Sequence, residues 1–194
     1  PDDGFNRQIV SALRALTDSG VKLSVLHANR DVLLGEEFAS RRAARLLPDP
    51  FILSLPTWQF VLSHGDLLCT DDTDYQSFRT QVRNSAWRNA FLAKPLGERK
   101  AIAAALRQQS ENAKQAKANP SQRYLMDLNP HATDDFLRAH GYATFIHGHT
   151  HLPAQHDHLV DGIHVERWVM ADWQEDRGEC LSWDGERLER TILS

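Results

Sequence analysis

The chain has 194 residues, 22 of them basic and 26 acidic, for a formal net charge of −4 with histidine neutral. With 41% hydrophobic and 25% charged residues, the composition excludes wholesale disorder, a collagen-like chain and a coiled coil. The mildly acidic balance argues against a general nucleic-acid-binding protein, which carries a basic surface. The length suits one domain spanning residues 1–194, with room for a sizeable insertion. No run approaches the ~18 apolar residues of a membrane span, and no signal-peptide pattern is visible. The two cysteines, Cys69 and Cys180, are sparse enough to read as thiols of a reduced, intracellular protein, with a disulfide left open. A cytoplasmic location is therefore expected. The chain starts at Pro1 rather than Met, which reads as processing or as a fragment.

In chain order, Phe5, Ile9, Leu13 and Leu16 form one helical stripe over Phe5 to Ser19, with Asp2 or Asp3 as cap and Gly20 as stop. Val21 to His27 is a short β-rich run that turns at Ala28 to Asp31. After the proline-punctuated stretch from Pro48 to Pro56, Gln59 to Asp66 reads as a second strand. Tyr75, Phe78, Val82, Trp87, Phe91 and Leu92 mark one helix. Pro95 interrupts it, and a second, increasingly polar helix follows. Residues 72–119 are thus expected to form a helical lid inserted between two core strands. Its basic groups, Arg99, Lys100, Arg107, Lys114 and Lys117, with Arg123 just beyond, are accounted for by a solvated helical face. A short helix is expected from Pro130 to Ala139, flanked by His131 and His140 as surface or capping groups. Tyr142 to Ile146 is a third strand. The tail reads as strands joined by an Asp184-Gly185 hairpin turn. Trp58, Trp87 and Trp183 read as core or lid packing. His156 and His158, beyond Pro153, are expected in an exposed loop.

Three apolar strands thus end in loops bearing Asn29, His64 and the histidine cluster, as in an α/β protein whose site lies along one sheet edge. His149 and His151 alternate around a tight loop, and in extended backbone alternate side chains point the same way. Gly148 permits close approach or positive φ. A surface or capping histidine tract is the plainer account of such a cluster, but Gly148-His149-Thr150-His151 directly after an apolar strand favours a metal site. Taken alone, Asn29 is a turn residue and His64 a core histidine. Taken together, the three loops offer mixed N and O donors that suit Mn²⁺, Fe²⁺ or Zn²⁺ rather than a closed thiolate zinc site. Asp66 is placed to orient His64.

The order Asn29-Arg30-Asp31, His64-Gly65-Asp66, Gly148-His149-Thr150-His151 is similar to the last three motif blocks of the calcineurin-like metallophosphoesterases. Longer runs (HANRDVLLGEEF, LSHGDLLCTDDTDYQSFR, YLMDLNP, IHGHTHLPAQH and VMADW) resemble, over nearly the whole chain, the pyrophosphatases of lipid A biosynthesis that act on UDP-2,3-diacylglucosamine. The resemblance implies an α/β fold, a metallophosphoesterase-type layered β-sheet sandwich flanked by helices with a helical lid. There are departures. The D-x-H and G-D-x-x-D motifs that open the superfamily pattern do not occur, so the N-terminal part, about a quarter of the family chain, is expected to be missing. Ala28 replaces the usual Gly of the third motif. Lys114 stands where a small polar residue is usual, and about four extra residues fall between Lys117 and Met126.

The resemblance also implies the chemistry. Two Mn²⁺ ions would activate a water against phosphorus, with Asn29, His64 and His149 ligating the second metal and His151 the first. Arg30 would be the catalytic group stabilising charge on the phosphate, against the plainer reading of a turn arginine paired with Asp31. Substrate contacts carry over to Asn29, Arg30, Asp72, Tyr75, Ser110, Lys114, Lys117 and His149. The expected partners are a lipid-linked nucleotide substrate and the inner-membrane surface of a Gram-negative bacterium, bound peripherally, and no nucleic acid. Two other readings stay open: the same chemistry on a soluble nucleotide or phosphodiester, or an inactive metal-binding fragment. A lid rich in exposed apolar groups would favour the lipid. A chain that truly begins at Pro1 is expected to show no Mn²⁺-dependent hydrolysis.

Overall fold

The computed structural model describes residues 4–35, 44–117 and 123–193. Asp2 and Asp3, the expected cap of the first helix, and residues 118–122 lie outside them. The chain divides into two compact units, Pro1–Phe51 and Ile52–Ser194.

In the first unit, α1 (Gly4–Asp18) is followed by β1 (Leu23–Leu26) and β2 (Ala44–Leu47), which pair in parallel. Gly20, at φ +94°, ends α1 in the left-handed region where only glycine is unstrained. The turn after β1 is closed by Asp31, whose carboxylate reaches back to accept from the Ala28 amide at 2.5 Å, a local side-chain-to-backbone bond. The His27 Nε2–H donates to the Leu34 carbonyl at 2.8 Å.

The second unit is built on a five-stranded mixed sheet in the order β3-β4-β5-β7-β6. Its strands are β3 (Phe51–Ser54), β4 (Gln59–Ser63), β5 (Thr144–His147), β6 (Ala154–Val160) and β7 (Ile163–Val169). β4, β5 and β7 run parallel, so their carboxyl ends share one edge. Ser63 lies opposite His147, and His147 opposite Val169, which sets His64, Gly148 and Met170 side by side. Helices flank this sheet. α5 (Pro130–Ala139), capped by Asn129, packs Phe136 against Phe145 at 4.8 Å between ring centroids. The buried core joins Val61, Leu68, Cys69, Leu128, Phe136, Leu137, Phe145, Val160 and Val165.

All of the chain between β4 and β5 is one crossover. It holds α2 (Thr73–Arg83), α3 (Ser85–Leu92), α4 (Leu96–Lys117) and α5. The single helix expected from Tyr75 to Leu92 is two. Asn84 breaks it, its side chain accepting from the Ala86 and Trp87 amides as the cap of α3. β8 (Gly178–Trp183) and β9 (Leu188–Leu193) form the expected Asp184-Gly185 hairpin.

The expected loop holding His156 and His158 is instead strand β6, turned into β7 by Asp161-Gly162 at φ +54° and +80°. Side chains alternate across a strand, and His158 is half-buried rather than solvated. Both cysteines are free. Burial, aided by nearby carboxylates, pushes the Cys69 thiol up to about 12. Among the described residues, no helix is long and apolar enough to cross a membrane.

The β6–β7 turn is pinned to α5. Asp161 accepts from Arg138 at 2.7 and 3.0 Å and from the Tyr142 hydroxyl at 2.8 Å. These bonds, the Arg138 one foremost, hold its carboxyl at about 2. A depressed carboxyl stabilises the fold fully above its unfolded value near 4 and loses that contribution as the pH falls towards 2. Asp161→Asn should therefore lower the urea midpoint at pH 6 but leave it nearly unchanged at pH 2. An equal loss at both values would refute this linkage.

Candidate functional site

The site is assembled where β4 and β5 end. His64 follows β4, and its carbonyl accepts from the Gly148 amide at 3.2 Å. A Cβ on Gly148 would lie 3.9 Å from the His64 ring. Gly65 is more tightly constrained. It sits at φ +96°, and a Cβ there would meet His147 Nδ1 at 2.9 Å. The two loops touch through glycine backbone, which brings His64 and His149 edge to face, 5.0 Å between ring centroids.

His149 and His151 are not in extended backbone, as alternation suggested. Both adopt left-handed conformations, at φ +66° and +55°, and the Thr150 amide donates to the Gly148 carbonyl at 2.8 Å. Such φ values cost of order 1–3 kcal/mol for non-glycine residues and gather at functional sites. The coil sends the two histidines to different neighbours. His149 meets His64 and the Tyr75 ring, at 5.1 Å. His151 Nδ1 lies 3.4 Å from Asp172 Oδ2, in the loop after β7.

His147 differs from both. It is 1% exposed. A carbonyl can only accept and a guanidinium can only donate, so its two bonds fix its tautomer. Nδ1–H donates to the Gly148 carbonyl at 2.9 Å, and Nε2 accepts from Arg167 Nη1 at 3.0 Å. With both nitrogens spent, it has no lone pair for another ligand. Burial keeps it neutral, lowering its pKa to about 3. His64 is also held neutral, down at about 4, chiefly by burial, against the pull of Asp66.

Asp66 is 1% exposed. Its Oδ2 accepts from the Tyr75 hydroxyl at 3.0 Å, Arg79 Nε at 2.9 Å and Arg83 Nη2 at 3.1 Å. Burial opposes its ionisation, yet His64, Arg83 and Arg79 together hold its carboxyl below the usual range. Burial followed by Asp66 pushes the Tyr75 phenol up. Asp66 also anchors α2, while its charge interaction with His64 is consistent with the expected orienting role. Arg79 and Arg83 escaped the sequence reading, although Tyr75, Arg79 and Arg83 recur every four residues on one helical face.

The other expected site residues are placed as follows. Asp72 caps α2, accepting from the Tyr75 amide at 3.2 Å. Ser110 is exposed on α4, and the side chains of Lys114 and Lys117 lie outside the described residues. Asn29 and Arg30 are exposed in the turn after β1, in the first unit. The second unit thus brings together His64 and His149, with Tyr75 against His149 and His151 near Asp172. Among the described residues, no group of three or more His, Cys, Asp and Glu side chains is arranged to hold a metal ion. The donors present are imidazoles, a partial set of the kind a borderline divalent cation takes.

A mixed, largely parallel sheet flanked by helices, with a helical crossover between two of its strands, is a mixed α/β architecture of the metallophosphoesterase-like kind. No family model matches the chain. Curated relatives do. A UDP-2,3-diacylglucosamine hydrolase of Aromatoleum aromaticum is 52% identical over 181 residues, 93% of this chain and 72% of the relative. Enzymes of the same name from Chromohalobacter salexigens and Chromobacterium violaceum are 42% and 44% identical, over 90% and 94% of this chain and 69% and 75% of theirs. The chain belongs to the UDP-2,3-diacylglucosamine hydrolase family.

Gly65 provides the test of this geometry. Gly65→Ala adds a positive-φ penalty to a clash with His147, so it should cost at least about 2 kcal/mol in urea unfolding. A cost below about 0.5 kcal/mol would show that the two loops do not depend on this contact.

Proposed function

We propose that the protein hydrolyses the pyrophosphate bond of UDP-2,3-diacylglucosamine to UMP and 2,3-diacylglucosamine 1-phosphate, a step of lipid A biosynthesis. The observation that carries the reading is the 40–52% identity to enzymes of that name over nine-tenths or more of this chain. Paired imidazoles at the strand edge, the His64 ring held neutral by burial, supply the chemical place for it.

By the family resemblance, Asn29, His64 and His149 would ligate one divalent cation and His151 a second, both Mn²⁺. When bound, such a pair supplies Lewis acidity at the phosphoryl oxygens and an activated water. The chain's own groups do the rest. Burial disfavours protonation of His64, and the ring contact holds it against His149. Asp172 fixes His151. Arg30, with its planar fork, takes the oxygens on which charge develops. Asn29, Arg30, Asp72, Tyr75, Ser110, Lys114, Lys117 and His149 bind the substrate, the insertion supplying the groups for the glucosamine phosphate.

Residues 72–119 act as the lid over the acyl chains. Phe78, Leu92 and Leu96 are exposed on it, which favours a lipid over a soluble ester as substrate. The same apolar and basic groups suit peripheral binding to the cytoplasmic face of an inner membrane.

The assay is UMP release from UDP-2,3-diacylglucosamine with Mn²⁺. His149→Ala should lower it at least about a hundredfold, since even outer partners of a metal ligand cost 10–100-fold. Equal activity without added divalent cation after chelation, or an unaffected His149→Ala variant, would remove this reading. Faster turnover of a soluble phosphodiester than of the lipid-linked substrate would shift the assignment to the soluble ester.

A further inference from the structure

Three donors from α2 meet the Asp66 carboxylate, and they come in a row: Tyr75, Arg79 and Arg83 are successive i, i+4 neighbours, one face of the helix. Gln76 reinforces the attachment, its Nε2 donating to the Asp66 carbonyl at 2.7 Å and the Cys69 carbonyl at 3.0 Å. Two guanidiniums and a phenol thus converge on one oxygen of a carboxylate that is 1% exposed. The other oxygen, Oδ1, is buried with no hydrogen-bond partner among the described residues. A carboxylate retained for stability alone would employ both oxygens, since an idle buried acceptor carries an unreturned desolvation cost.

The attachment closes a circuit. Strand β5 ends at His147, which packs on Gly65. Gly65 aims Asp66 at α2. The helix presents Tyr75, whose ring lies against His149 at 5.1 Å, two residues beyond the starting point on the same strand end. Without Asp66, the first turn of the insertion would lose the bond from the Tyr75 hydroxyl and the two ion pairs from the following turns of α2.

We propose that Asp66 is a positioning residue for substrate: through Tyr75, Arg79 and Arg83 it fixes α2 against the sheet edge, so that Asp72 and Tyr75 meet the phosphate-bearing sugar at one place relative to His149. The inference rests on the hydrolase reading above and deepens it. It predicts a split between binding and turnover. In Asp66→Asn, a near-isosteric change, KM for UDP-2,3-diacylglucosamine should rise about tenfold, with kcat falling less than about threefold. Native-state hydrogen exchange of the α2 amides should quicken at least about tenfold, while β4 and β5 keep their protection.

Should Asp66→Asn fail to fold, Arg79→Gln and Arg83→Gln, at partly exposed side chains, carry the test. Each should raise KM about threefold and the pair about tenfold. A fall in kcat at constant KM would place the role of Asp66 at His64 instead. Unchanged KM in all variants, with only a lowered melting temperature, would make the cluster purely structural. Either result overturns the proposal while leaving the hydrolase reading intact. Absence of UMP release from the unaltered protein would overturn both.

Discussion

Everything at the sheet edge depends on how closely the loops after β4 and β5 approach one another. Parallel pairing of Ser63 with His147 levels the two strand ends, but pairing alone would leave a side-chain layer between them. Gly65 and Gly148 remove that layer. The Gly148 amide reaches the His64 carbonyl, and the Gly65 Cα lies where any Cβ would strike the His147 ring. From this contact follow the edge-to-face His64–His149 pair, the direction in which Asp66 leaves the sheet, and the seat of α2. The arrangement follows the general rule that open α/β sheets place their chemistry beyond the carboxyl ends of parallel strands.

The histidines divide by what their ring nitrogens already do. Five fall within a dozen residues of the chain, yet proximity in sequence says little about availability. His147 spends one nitrogen on a carbonyl and the other on Arg167. Arg167 in turn donates to His158 Nε2 at 3.0 Å, so two members of the cluster serve to bury a guanidinium. His64 and His149 are set apart by facing one another, and His151 by facing a carboxylate. One run of sequence thus carries an interior scaffold on its strand and a surface chemistry on its coil.

Much of this could be read directly from the residues. The strands ending at His64 and His147, the α5 helix and the Asp184-Gly185 hairpin all carry strong local signals, and the sheet confirms them. β6 could have been read too, because Asp161-Gly162 is the same turn signal that revealed the second hairpin. It was obscured by His156, Asp157 and His158: Asp157 lies on the exposed face, while His156 and His158 are half-buried on the other, where Arg167 donates to His158. The break at Asn84 was hidden by apolar spacing that continues smoothly across it, although a cap side chain overrides such spacing. The partners of Asp66 were harder. Arginines on a lid helix look like solvated charge until the fold supplies a buried acceptor. The left-handed turns at His149 and His151 carry no sequence signal, since no glycine marks either position. They exist because tertiary contacts impose them.

The position of the insertion has a consequence for how the molecule comes into being. α2, α3, α4 and α5 all lie in the crossover between two strands that must pair directly. During synthesis His64 and Asp66 emerge long before His147 and His149. Helices form from local contacts and can precede the sheet, whereas the β4–β5 pairing is non-local and must wait for the whole connection. Until β5 arrives, Val61 and Leu68 lack their core partner Phe145, and Gly65 lacks the ring that defines its turn. The paired-imidazole edge is therefore among the last features the nascent chain acquires, and β4 is the strand that must be kept from pairing elsewhere in the interval.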